Sequence, residues 1–302
     1  MPICIFMIPL YLFSHVACKK ADSTTVLSEA TSFDTQTRTV LVAPPDGMED
    51  TTDNQKEVVE SDTVPQTETI THGIIGVGTI YETAWVEMKG ATVGKSIIIE
   101  GGIHGDEIAG TLAIEALLPK IHITKGRVVW LPAMNRPAYT KQQRFIHVDL
   151  NKIFPGDTTK PEYEYSLAAE LFSWVEQQKV DVVLTLHESR YLHDGSNPKT
   201  FGQTIVYGVK PMPTILELVL QELNENLGNT QHKFYPNYFP IATSSTEQFV
   251  ENFHVEGFCA ETWRGFELST RIALQEKIII AFLHQLDIQF CLDSSETFSC
   301  PQ

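Results

Sequence analysis

Residues 97–107 read Ile-Ile-Ile-Glu-Gly-Gly-Ile-His-Gly-Asp-Glu. Three β-branched residues run into a glycine pair, and His104 and Glu107 follow with His-x-x-Glu spacing. An imidazole and a carboxylate three residues apart face one point if the turn between them begins a helix. Both groups ligate zinc. Taken alone, the spacing favours a plainer assignment, a polar loop with a solvated histidine and a glutamate at a helix start. Two further stretches shift the balance. His187 ends the apolar run Val182-Val183-Leu184-Thr185-Leu186, and Glu261 ends Phe258-Cys259-Ala260. A catalytic zinc site takes three protein ligands and keeps a fourth position open. His104, Glu107 and His187 supply that set, for one Zn2+ per chain. A fourth group must then accept a proton, and Glu261 is placed for it. The competing assignment for Glu261 is a strand-end carboxylate paired with Arg264.

The elements that must position these residues are legible as periodicities. Opening strands are expected within 73–90, followed by buried strands at 96–100, 127–131, 182–186, 204–207 and 258–260. Helices are expected over 106–118, 163–178, 214–227 and 274–286, the first closed by Pro119. A loop should run from Asn135 to Gly156. Apolar strands alternating with helices predict an α/β fold: a mainly parallel or mixed doubly wound sheet with helices on both faces. In such sheets ligands bind at the carboxyl edge, which is where the four polar residues fall.

The chain has 302 residues and a formal net charge of -16. That sign argues against nucleic acid as a partner, because a phosphate backbone demands a basic face. Residues 1–17 carry no Asp, Glu, Lys or Arg, and Ile3–Phe13 is apolar but too short to span a bilayer. Residues 1–18 fit a signal peptide. Val16-Ala17-Cys18 has the form of a lipoprotein cleavage site, with His15 and the lack of a basic start as departures. Export to the cell envelope is expected, with Cys18 a candidate point of membrane attachment. Residues 19–72 are rich in Thr, Ser, Asp, Glu and Gln, too polar to bury a core, and read as a disordered acidic tether. The catalytic domain is expected over 73–290, with a tail over 291–302. Cys259 reads as a small buried hydrophobe, and Cys291 and Cys300 as a pair that an oxidising compartment would permit to join.

Four ordered motifs then resemble the zinc carboxypeptidase (M14-like) superfamily, and within it the succinylglutamate desuccinylase/aspartoacylase branch. They are Gly102-Ile103-His104-Gly105-Asp106-Glu107, Arg144 to Gly156, Leu186-His187-Glu188 and Ala260-Glu261-Thr262. The resemblance implies a zinc-carboxypeptidase-like fold and zinc held by His104, Glu107 and His187. It implies Glu261 as general base and then acid, and Arg144 as the cation at the scissile carbonyl. Asn151 and Lys152 would hold a substrate carboxylate, and Asp149 would orient a zinc histidine. Three departures stand out. Lys152 replaces the family's arginine, exchanging a bidentate fork for a point charge. Thr185 stands where relatives of this branch often carry Asp. For the gating tyrosine of the carboxypeptidases, Tyr238 is the nearest candidate. His147 reads as packed or solvent-facing, Glu188 as pointing away from the metal, and Tyr207 and Trp263 as core or pocket wall.

The expected function is hydrolysis of an amide in an N-acyl amino acid or a peptide with a nearby carboxylate. The alternatives are a metallocarboxypeptidase or cell-wall peptide amidase, and, from another class, an inactive peptide-binding homologue.

Overall fold

A computed structural model describes residues 67–225 and 227–293. The expected signal peptide, Cys18, most of the tether and Cys300 lie outside the described residues. Among the described residues no helix is long and apolar enough to cross a membrane.

The described residues form nine strands and six α-helices. The strands are β1 (Thr69–Ile75), β2 (Thr83–Lys89), β3 (Thr92–Glu100), β4 (Ile121–Leu131), β5 (Val182–Ser189), β6 (Thr204–Tyr207), β7 (Tyr235–Tyr238), β8 (Glu256–Trp263) and β9 (Gln289–Leu292). The helices are α1 (Ile108–Leu117), α2 (Arg136–Thr140), α3 (Tyr163–Gln178), α4 (Thr214–Glu225), α5 (Ser245–Phe253) and α6 (Leu268–Gln285). All strands join one sheet in the order β1-β2-β4-β3-β5-β8-β6-β7, with β9 also on β4. The centre, β4-β3-β5-β8, is parallel, while β1, β2, β6 and β9 introduce antiparallel pairs. The sheet is therefore mixed, within the expected fold class.

Alternation along the central strands builds two cores. Ile97, Ile99, Val128, Trp130, Val182 and Leu184 face α1, α4 and α6, whereas Ile98, Val129, Leu131 and Val183 face α3 and α5. Covering both faces explains why these strands are apolar throughout rather than alternating in polarity. Each isoleucine fully removed from water contributes roughly 1.5–3 kcal/mol.

Several boundaries differ from the expectation. β1 begins at Thr69, inside the stretch assigned to the tether. Glu68 secures it: its carboxylate accepts the Ile123 N–H at 2.6 Å and lies 3.1 Å from His122 Nδ1. Such a long-range bond leaves no trace in local composition. β9 crosses the expected 290/291 boundary because it closes the free edge of β4, which buries Cys291. The 135–156 stretch holds α2 and a short 3-10 turn, Leu150–Lys152, rather than loop alone. Neither β7 nor α5 was expected. β7 contains Pro236, and α5 (Ser-Thr-Glu-Gln-Phe-Val-Glu-Asn-Phe) is short and mostly polar, its apolar stripe reduced to Phe249, Val250 and Phe253.

Candidate metal centre

The site forms at the carboxyl edge of the parallel strands. β3 ends at Glu100, and Gly101 and Gly102 turn the chain away. Gly102 adopts φ +65°, a left-handed conformation open to glycine. Gly105 lets the turn press against α2: a Cβ there would meet the Ala138 carbonyl carbon at 2.0 Å. The chain then enters α1 with Glu107 at the N-cap position, yet the Glu107 carboxylate makes no cap bond. Glu188 does that work instead, accepting the Ala109 N–H at 3.0 Å while its other oxygen pairs with Arg271. Glu107 is thus released into the site. Glu188, expected to point away from the metal, supports the helix start.

His187 lies on β5 and Glu261 on β8 at the same register position of a parallel pair. Register partners point to the same side of the sheet about 5 Å apart, so both reach one cavity. Gln275 fixes the strand end by donating to the His187 carbonyl at 2.9 Å.

Ligand atoms of His104, Glu107 and His187 all lie within 4.8 Å of one another, and all three residues are buried. Glu107 is the node. His104 Nδ1 lies 2.9 Å from its Oε1 and His187 Nδ1 lies 2.9 Å from its Oε2, while Arg144 Nη1 donates to Oε1 at 2.8 Å. On the far side of His104, Nε2 contacts Asp149 Oδ1 at 3.1 Å. Asp149 also caps the 3-10 turn by accepting the Asn151 N–H at 3.2 Å, and it accepts from Arg144 Nε at 3.3 Å. The Asp149 carboxylate, against the far nitrogen of His104, therefore sits where it would fix the histidine tautomer.

This donor set fits a cation such as zinc. With Nε2–H donating to Asp149, the Nδ1 lone pair of His104 faces Glu107 Oε1. His104 Nδ1 is buried and has no hydrogen bond. Two acceptors in contact need a positive charge between them. The electrostatics agree. Burial works to lower the His104 pKa, but Glu107 and Asp149 outweigh it and hold the imidazole up at about 9. Burial works to raise the Glu107 pKa, yet the two histidines keep it well below the usual carboxylate range. Burial pushes His187 down. Burial, reinforced by the charge of Glu107, pushes Glu261 well above the carboxylate range.

A pH dependence follows for the metal-free protein. The folded-state pKa of His104, about 9, lies above its ordinary 6.5. The stability it contributes is fully present below about 6.5 and is lost as pH rises through about 9. The metal-free protein should lose thermal stability across that window, and zinc, by displacing the proton, should flatten the dependence. Melting temperatures with chelator and with zinc test this. A metal-free melting temperature that does not fall between pH 6.5 and 9 removes the proton from His104.

The remaining sequence-selected residues are placed as follows. Arg144, Asn151, Lys152 and Glu261 all line the cavity with the three ligand candidates. Asn151 Oδ1 accepts the Ser245 N–H of α5 at 3.1 Å, which leaves its amide N–H bonds for a ligand. Lys152 Nζ lies 3.6 Å from Asp149 Oδ2 with a largely exposed side chain. Arg264, the competing partner for Glu261, pairs with Asp106 at 2.7 Å instead. His147 stands apart from the metal centre, 3.2 Å from Glu164. Tyr207 lines the cavity whereas Tyr238 does not, so the candidate for a gating tyrosine moves off the site. Thr185 is buried, 3.0 Å from Thr246 Oγ1 and 3.4 Å from Glu100 Oε2. Cys259 is more than a packing residue, since it lines the cavity with Sγ 3.9 Å from Glu261 Oε1. Phe239, Thr246 and Glu247 also line it and were missed. The Ser-x-x-Glu at 244–247 was the one local signal for them.

Fold and site together define a zinc-carboxypeptidase-like α/β protein. Residues 93–191 match the succinylglutamate desuccinylase/aspartoacylase catalytic domain, so the resemblance read from the motifs holds over the segment bearing His104, Glu107, Arg144 and His187. An N-alpha-acetyl-L-2,4-diaminobutyric acid deacetylase from Halomonas elongata is 37% identical over 99 residues, spanning 31% of this chain and only 28% of that relative. Among solved structures, tripeptide-bound Csd4 of Helicobacter pylori, a cell shape determinant, superposes with TM-score 0.63 at 21% identity, over 71% of this chain and 58% of that one. A succinylglutamate desuccinylase/aspartoacylase from Rhodobacter sphaeroides superposes with TM-score 0.54 at 19% identity, over 78% and 69%. At these identities the structural likeness establishes the fold.

Proposed function

We propose that the protein is a zinc-dependent amide hydrolase acting on an N-acyl amino acid, or on a short peptide, with a carboxylate near the scissile bond. The observation that carries this reading is the buried His104–Glu107–His187 cluster with Glu261 in register beside it and Arg144 at its rim. The deacetylase relative, 37% identical over 99 residues, supports acyl amino acids. The mDAP-bound form of Csd4, described as a D,L-carboxypeptidase, supports peptides as the second arm of the substrate class.

The residues divide the work. His104, Glu107 and His187 would hold zinc, which when bound polarises a carbonyl and brings water to a pKa of roughly 7. Asn151 presents amide N–H groups and Lys152 an ammonium to the substrate carboxylate, setting the position of the scissile bond. Glu261 takes a proton from the attacking water and delivers it to the leaving nitrogen. Arg144 donates to the carbonyl oxygen as negative charge develops, an interaction worth on the order of 3 kcal/mol when preorganised. Asp149 holds His104 and Arg144 at once. We assign the enzyme to the cell envelope on the sequence of residues 1–18.

Metal analysis of the purified chain, with a hydrolysis screen over N-acyl amino acids and short peptides, tests the proposal. One zinc per chain and turnover of a carboxylate-bearing amide are expected. A chain that takes up no zinc and cleaves neither class overturns it.

Lys152 gives a sharper check. Lys152→Arg restores a planar fork to the carboxylate site, so KM for an anionic substrate should fall about tenfold, the worth of one added charge-assisted hydrogen bond. Steady-state kinetics on an anionic substrate and its neutral amide decide it. Equal KM changes for both show that Lys152 does not read the carboxylate.

A further inference from the structure

The sequence Ser244-Ser245-Thr246-Glu247 at the start of α5 has the form of a capping box, in which the glutamate reaches back to the backbone N–H of the serine. Half of that box is present: Ser244 Oγ accepts the Glu247 N–H at 3.3 Å. The other half is not, because the Ser244 N–H already donates to the Ile241 carbonyl at 2.8 Å. The Glu247 carboxylate is therefore released from the helix end. Among the described residues it has no hydrogen-bond or ion-pair partner, although Glu247 is only 8% exposed. It lies against Gly208, where a Cβ would stand 1.8 Å from Glu247 Oε1. The absent side chain is what gives the carboxylate its seat. It lines the same cavity as the metal-ligand candidates, with Tyr207 and Phe239 in the wall.

Among the described residues no cation pairs with Glu247: Lys152 lies 3.6 Å from Asp149, Arg190 is 3.7 Å from Asp106, and Lys210 sits 3.9 Å above the Tyr238 ring. Burial, reinforced by the charge of Glu251, raises the pKa of Glu247. Nor does Glu247 belong to either cluster of described residues close enough to share a metal ion. A carboxylate that is mostly withdrawn from water and lacks a counter-ion is unfavourable, and a cation entering the cavity relieves it.

We propose that Glu247 is the subsite for a primary ammonium on the substrate's amino-acid side chain. It rests on the hydrolase reading and narrows its substrate class to acylated amino acids that carry a free amine as well as a carboxylate. The first turn of α5 couples the two anchors: the Ser245 N–H holds Asn151 for the carboxylate, and Glu247, two residues on, holds the amine. The family match ends at residue 191 and does not reach this turn.

The test compares Nα-acetyl-2,4-diaminobutyrate with Nα-acetyl-2-aminobutyrate on the zinc-loaded full chain, and measures calorimetric binding of the two free amino acids. A charge-assisted hydrogen bond predicts a wild-type preference for the diamino compound of about 10- to 100-fold in both assays. Glu247→Gln keeps the shape and loses the charge, and should bring that ratio to near one. Gly208→Ala keeps the charge but displaces the carboxylate, and should lower the ratio as well. Equal binding of the two amino acids by the wild type, binding of neither, or a preference retained in Glu247→Gln overturns the subsite. If no acylated substrate is cleaved, the hydrolase reading fails, while calorimetry still decides the amine site.

Discussion

Glu261→Gln is expected to retain one metal ion per chain and to lose kcat by about 10²–10⁴-fold, the usual contribution of general acid–base catalysis. Glutamine matches glutamate in shape and still accepts a hydrogen bond, but it cannot take up a proton at neutral pH. The geometry supports this separation of roles. Glu261 lies beside His187 on the neighbouring strand, while His104, Glu107 and His187 form the tight cluster without it. Glu261 also faces the like charge of Glu107 in a buried setting, which raises its pKa. Neutralising it should therefore leave the metal-free fold intact. Metal content and kcat measured on the same preparation decide the matter. Full activity means that another residue moves the proton, and loss of zinc means that Glu261 is a ligand.

Glu107→Gln should behave in the opposite way, with metal affinity reduced by more than about 100-fold and activity lost with it. Removal of groups that merely support metal ligands costs 10–100-fold, and Glu107 offers the anionic donor itself. It also contacts both histidines, Arg144 and the Glu188 N–H, so four neighbours lose their common partner. Breaking a buried charge pair from one side costs about 3–5 kcal/mol, so the metal-free variant should also melt at a lower temperature. Zinc titration and thermal unfolding measure both effects. If Glu107→Gln binds zinc as the native chain does while Glu261→Gln does not, the two roles are exchanged.

The placement of His104, Glu107, His187 and Glu261 near the carboxyl ends of strands was legible from residue type, because a strand buried on both faces is a mostly apolar run and these polar side chains follow such runs. The strands themselves extend further, β5 to Ser189 and β8 to Trp263. Glycines at 101, 102 and 105 marked the turn for a similar reason, since only small residues allow the approach to α2 and the left-handed φ. The helices over 163–178 and 214–225 were legible because each carries an apolar stripe at helical spacing.

Strand order and register were decided by tertiary structure. His187 and Glu261 are 74 positions apart in the sequence, and they share a cavity because β5 pairs with β8 at that register. No local pattern encodes a pairing between distant segments. The same holds for Arg264, which the sequence set beside Glu261 and the fold set against Asp106. It holds for Glu107 too, whose place at a helix start suggested a cap until Glu188 took that bond from another strand. Glu247 is the sharpest case. By sequence it completes a capping box, but one carbonyl, that of Ile241, occupies the Ser244 N–H and turns the carboxylate into the cavity. Residue types limit which bonds a side chain is able to make, and the partners that reach it first in the folded chain select among them.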